Sequence, residues 1–202
     1  MFFAGFSTVS GVTATILYYM AKNQEYQETL YQEVKISVDL SAGGAADQLD
    51  YAAVTGMQYM EKIFQESLRM FPFAQLIRYS IADYKIPDTN IVIPKSTAVI
   101  FPATAVVKDS KYFPKPDVFD PENFSAQKKA ARHSLATGGF GHGPRNCIAQ
   151  RFATMEVKLI IARIIHKYRV LPCDRTVDQL IADPAKRFGQ PKGDIWITVE
   201  KR

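Results

Sequence analysis

Cys147 is the residue of this 202-residue chain best placed to do chemistry. It closes the run Phe140-Gly-His-Gly-Pro-Arg-Asn-Cys147, continues as Ile148 and Ala149, and passes into an apolar helical pattern that reaches residue 168. A sulfur at a helix start faces backbone N–H groups with no intrahelical partner and the positive end of the helix dipole. Both favour the thiolate, the form of cysteine that attacks and that binds metals. Gly141 and Gly143 permit the tight turn that brings those amides close. The plainer alternative is a buried core thiol. Cys173, after Pro172, has no comparable surroundings. Two cysteines make no disulfide framework and fit a reducing compartment. His133, His142 and His166 fall at no helical ligand spacing, so zinc is not expected.

Two further groups carry polar chemistry on apolar segments. Glu66 and Arg69 stand three apart on a helical pattern over residues 56–71, stopped by Pro72, so both charges share one helix face. On a surface such a pair contributes little. Among Ile63, Phe64, Leu68, Met70 and Phe71 it reads as a buried scaffold pair. Ser7 and Thr8 open a run of hydroxyls on a segment that carries no charge from residue 1 to 21. Such a segment reaches the length of a membrane span. Its hydroxyls and glycines, without a basic leader or cleavage site, favour a buried helix.

These groups need elements to hold them. Residues 1–36 read as helical, apolar up to Lys22 and amphipathic beyond; residues 37–50, with Gly43 and Gly44, read as a loop. The period then changes to short β-rich runs at 76–82, 91–93 and 97–102, separated by Pro-Asp and Pro-Lys turns. Residues 108–124 form an irregular meander of aromatics and prolines, and 127–133 a polar connection. The tail ends as a strand around 195–199. With 47% hydrophobic residues, no repeat and no linker, the chain fills one unit with a real core. The charge of +5 is mildly basic. Lys128, Lys129, Arg132, Arg145 and Arg151 gather around the cysteine run, either as a solvated face or as a dock for an acidic electron-transfer partner. No zinc finger or aromatic-basic motif accompanies them, so nucleic acid is not a partner.

The spacing Phe140-x-x-Gly143-x-Arg145-x-Cys147 resembles the haem-thiolate loop of the cytochromes P450. The resemblance implies a mainly α fold with small β-sheets (α+β), the C-terminal half of the P450 fold, with haem b (iron protoporphyrin IX) as cofactor. It makes Cys147 the axial ligand of the haem iron and Arg145 a partner of a haem propionate, with Arg78 a second candidate. Phe140, Gly141, Gly143 and Ala149 then line the cofactor, Ala149 standing where glycine is usual. Residues 59–72 resemble helix K of the family, whose Glu-x-x-Arg pair locks the meander. The meander's usual Pro-Glu-Arg-Phe reads Pro121-Glu-Asn-Phe124 here, and Asn123 can hydrogen-bond but supplies no cation. Ala4-Gly-Phe-Ser-Thr8 resembles the oxygen-activating segment of helix I. Thr8 matches its proton-relaying threonine, and Ser7 replaces the usual acid. Leu76 and Ile77 are candidates for facing the substrate.

The resemblance spans residues 1–202 as the C-terminal part of a single domain whose N-terminal half is absent from the chain. It implies a monooxygenase that inserts one oxygen atom of O2 into an apolar small molecule. Electrons would come from NADPH-cytochrome P450 reductase, with cytochrome b5 as an additional donor. The parent protein would sit on the cytosolic face of the endoplasmic reticulum membrane, its anchor outside these residues. Two alternatives stay open: a truncated product without activity, and a small protein anchored by residues 1–21.

Overall fold

The apolar patterns become four packed helices. The computed structural model describes residues 2–41, 49–72, 76–137, 139–183, 185 and 190–202. Helix α1 (Phe2–Lys22) and helix α2 (Gln24–Asp39) lie where one helical pattern was predicted. Asn23 divides them. Its backbone leaves helical geometry (φ −124°, ψ 78°), and its side-chain amide donates back to the Tyr19 carbonyl at 2.8 Å. That local bond competes with helix continuation, which is why asparagine breaks helices. α2 runs on to Asp39, past the predicted loop boundary, and residues 42–48 lie outside the described residues.

The helix predicted over 56–71 starts at Gln58, and a short helix that was not predicted precedes it. Helix α3 (Tyr51–Gly56) is capped by the Asp50 carboxylate on Ala53 N–H at 2.7 Å. After Met57 the chain re-enters helix as α4 (Gln58–Met70). Here the N-terminal cap comes from far away in sequence. The Glu33 carboxylate on α2 accepts from Tyr59 N–H at 2.7 Å and Met60 N–H at 2.8 Å. The two amides would otherwise lack partners.

The remaining elements are small. Strand β1 (Leu76–Tyr79) pairs antiparallel with β4 (Ala98–Phe101), Arg78 opposite Val99. The hairpin of β2 (Tyr84–Lys85) and β3 (Val92–Ile93) lies between them in sequence. Helix α5 (Ala103–Val107) precedes the meander, which ends in a 3₁₀ turn (Pro121–Phe124) and helix α6 (Ala126–Ala130). Helix α7 (Gln150–Lys167) leads into β5 (Tyr168–Leu171), paired antiparallel with β6 (Thr198–Lys201).

The core sits where α1, α2, α4 and α7 meet. Ile16 and Met20, then Leu30, Val34 and Val38, then Met60, Ile63 and Phe64, then Val157, Ile161 and Ile165 are buried there. These are i, i+3/i+4 sets, as the helical period requires. Gln27 ties the bundle to β5: its amide accepts from Val170 N–H at 2.9 Å and donates to the Val170 carbonyl at 2.7 Å and the Met20 carbonyl at 2.9 Å. Among the described residues no helix is long and apolar enough to cross a membrane. α1 is buried at Val9, Val12, Ile16 and over residues 18–21, as the buried-helix expectation requires, while Phe6 near its start is exposed.

Candidate functional site

The cysteine run folds as a closed loop rather than as the first turn of a helix. Cys147 N–H donates to the Phe140 carbonyl at 2.8 Å, and the Gly143–Arg145 segment makes a 3₁₀ turn between them. Helix α7 begins only at Gln150, whose N–H reaches the Cys147 carbonyl at 3.3 Å. The sequence therefore locates the loop correctly and starts the helix three residues early. Gly-Pro geometry explains the delay: Gly143 takes φ +73° and Asn146 an extended backbone, neither of which continues into α-helix.

Gly141 is the tighter of the two glycines. It adopts φ +78°, and an added Cβ would lie 3.2 Å from Leu76 Cδ2. Gly143 has open space around it. Gly141→Ala is expected to destabilise the chain by roughly 1–2 kcal/mol through left-handed strain plus contact with Leu76. Gly143→Ala carries the strain alone, so denaturant melts should rank Gly141→Ala as the more damaging.

Phe140 is half-buried and stacks on Phe64 of α4, centroids 6.0 Å apart. Cys147 is half-exposed. Ala149 sits exposed at the start of α7, and Arg145 is exposed too. Beyond them Ile148 is fully exposed and Phe152 is 70% exposed. An apolar cleft of about 460 Å³ opens beside the loop, lined by Leu76, Phe101, Val106 and Leu135 with Arg78, His133 and His142. Arg78 is thus brought to the cleft from β1, while Arg145 is not among its lining residues. Ile77, on the same strand, is exposed outside that lining. Ser7 and Thr8 lie half-buried in the first turns of α1. There the Ser10 hydroxyl donates to the Phe6 carbonyl at 2.7 Å and the Ser7 carbonyl at 3.3 Å, a back-bonding that bends helices.

The Glu66–Arg69 pair is fully buried and is the electrostatic centre of the fold. Arg69 Nε and Nη2 donate to the two Glu66 oxygens at 2.7 Å each. Its remaining N–H groups reach the carbonyls of Val107, Pro116 and Val118 at 3.1, 2.7 and 3.0 Å. Glu66 Oε1 also accepts from Asp120 N–H at 2.8 Å and Asn123 Nδ2 at 3.1 Å. Burial pushes the Glu66 carboxyl above its ordinary range, while Arg69, the Asp120 amide and Asn123 pull it down. Asn123 therefore joins the network as a neutral donor, as its residue type suggested.

Two features escaped the sequence. Arg132, read with the basic run, is folded inward against Phe113. Cys173 is not featureless: the Thr176 hydroxyl lies 3.5 Å from its sulfur, and with the Arg175 N–H it holds the thiol below its usual range.

A haem needs a thiolate or imidazole ligand, an apolar wall for its macrocycle and cations for its propionates. The donor set fits: a half-exposed thiol in a closed loop, an apolar cleft beside it, Arg145 two residues before the cysteine, and Arg78 lining the cleft from β1.

Comparison with known proteins accords with this geometry. A family model described as Cytochrome P450 matches residues 1–199. Cytochrome P450 6a2 of Drosophila melanogaster is 38% identical over 200 residues, covering 98% of this chain and 39% of that protein. Cytochrome P450 6B2 of Helicoverpa armigera is 34% identical over 202 residues, covering 100% and 39%. Cytochrome P450 3A15 of Cavia porcellus is 35% identical over 175 residues, covering 86% and 33%. The chain spans about two fifths of the length of the insect relatives it matches.

Proposed function

Because this chain belongs to the cytochrome P450 family, we propose that it is the C-terminal part of a haem-thiolate monooxygenase acting on an apolar small molecule. The family implies a haem cofactor, and we assign it as haem b held by Cys147. Haem bound to a thiolate supplies dioxygen activation, which no amino-acid side chain provides. The chain's own residues then have separable tasks. Cys147 presents its sulfur from a loop whose closing bond is made by its own N–H, so the thiol is held before any ligand arrives. Phe140, stacked on Phe64, keeps water from the sulfur side. Arg145 and Arg78 offer guanidinium forks to carboxylates, a charge-assisted pairing. Thr8 and Ser7 pass protons along hydroxyls. Ser7 transmits a proton but stores none, unlike a carboxylate. Leu76 forms part of the apolar wall. The reductase, cytochrome b5 and a place on the cytosolic face of the endoplasmic reticulum belong to the same proposal.

The observation that carries this reading is the closed loop: Cys147 N–H on the Phe140 carbonyl, with Gly141 and Gly143 at positive φ, beside an apolar cleft containing Arg78. A second reading, that these residues alone turn nothing over, is favoured by the exposed apolar side chains of Ile148 and Phe152. One experiment addresses both. The chain, and a chimera joining it to the N-terminal part of an insect relative, are loaded with haem, reduced and exposed to carbon monoxide. The chimera is expected to give the red-shifted Soret band of a thiolate-ligated ferrous haem, and product when reductase and NADPH are added. The chain alone is expected to give none. A chimera that binds haem without that band overturns the first reading; turnover by the chain alone overturns the second.

A further inference from the structure

Arg132 lies at the end of a run of exposed lysines, yet its guanidinium turns inward. Nε donates to the Tyr112 carbonyl at 3.0 Å and Nη2 to the Asn123 carbonyl at 2.9 Å. Its guanidinium carbon stands 3.8 Å from the centroid of the Phe113 ring, which Arg69 also approaches at 4.8 Å. One buried aromatic ring is thus shared by two cations. Burial is the largest influence on Arg132 and disfavours its charge; the Glu66 carboxylate opposes this only in part, and the nearby Arg69 adds to the cost. Arg132 Nη1 is buried with no hydrogen-bond partner, so the group is held there despite an unsatisfied donor. A side chain that tolerates repulsion and an orphan N–H is fixing geometry, because a basic surface would not require either.

What it fixes is the approach to the loop. Phe140, eight positions after Arg132, is itself anchored by its stack on Phe64 and by the bond from Cys147 N–H. The chain is therefore held at Arg132 and held again at Phe140.

We propose that Arg132 is a positioning residue for Cys147: it clasps the entry to the cysteine loop onto the Glu66–Arg69 network through Phe113 and the Asn123 carbonyl. Only the purpose of the loop rests on the haem-thiolate reading; the clasp itself concerns the polypeptide alone.

The test is peptide-resolved hydrogen exchange on the full chain. Arg132→Ala is expected to speed exchange over residues 133–147 by about tenfold or more, the scale of losing hydrogen bonds from a charged donor. Amides of α1 and α7 should keep their rates. Arg132→Gln retains one amide donor without charge and, should the alanine variant not fold, is read the same way. In the Arg132→Ala background, Asn123→Arg returns a guanidinium beside Glu66 and is expected to restore protection over 133–147. Unchanged exchange over 133–147 overturns the proposal, as does a loss spread evenly over α1 and α7, which marks general destabilisation. Loss confined to 133–147 in a protein that never shows a thiolate-haem spectrum sustains the clasp and removes only the haem reading.

Discussion

Cys147→Ala is expected to abolish the red-shifted ferrous carbon monoxide band in a chimera that carries the N-terminal part of a relative, while Cys173→Ala leaves it unchanged. The two thiols make this a sharp comparison. The Thr176 hydroxyl and the Arg175 N–H hold the Cys173 thiol below its usual range. Geometry chooses Cys147: its N–H closes the loop on Phe140, the turn carries Gly141 and Gly143 at positive φ, and the apolar cleft reaches His142 of the same loop. A metal ligand must be positioned as well as deprotonated, and the bound iron itself removes the proton from a coordinating thiol. Cys147→Ser keeps the loop and loses the sulfur, so its spectrum separates ligand loss from misfolding. A red-shifted band surviving in Cys147→Ala, and lost in Cys173→Ala, would transfer the ligand to the other cysteine.

Arg69→Leu is expected to destabilise the chain by roughly 3–5 kcal/mol, the cost of breaking a buried ion pair by removing one partner. That approaches the whole stability of an ordinary domain, about 5–15 kcal/mol. The loss is not confined to the pair. Glu66 would keep only the Asp120 amide and Asn123, and the carbonyls of Val107, Pro116 and Val118 would lose their donor. Arg69→Lys should recover little, since one ammonium cannot reach two carboxylate oxygens and three carbonyls that a planar fork spans. Glu66→Leu combined with Arg69→Leu should cost less than the two single losses added together, because neither charge is then stranded. Urea melts of the unaltered chain, the two single leucine variants, the double variant and Arg69→Lys measure this. A loss below about 1 kcal/mol for Arg69→Leu would place the pair among those that contribute little.

The parts legible in sequence were those whose chemistry is local. Glycines and proline within eight residues of Cys147 announce the loop, and short β-rich runs bounded by proline turns announce β1 and β4. Five apolar neighbours within a helical turn or two announce that Glu66 and Arg69 are buried. The break at Asn23 was not legible, because it sits inside uninterrupted helical periodicity, and neither was the short helix α3 that ends ahead of Met57. At Asn23 one side-chain bond to Tyr19 decides, and at Met57 the decision lies with a carboxylate on another helix. Arg132 was misread for a similar reason. Its lysine neighbours describe a surface, while Phe113, Tyr112 and Asn123, which capture it, come from the preceding meander. Neighbouring charge says where a chain segment lies and not where each side chain turns.

The carboxylate of Glu33 also bears on the order of assembly. The start of α4 has its Tyr59 and Met60 amides satisfied by a residue 26 and 27 positions earlier. A self-capped helix can nucleate on its own; this one is completed only when α2 has closed a long loop onto it. The network that organises the meander hangs from that same helix. The cysteine loop thus depends, through the meander and α4, on a carboxylate of α2 that lies 114 positions upstream in number.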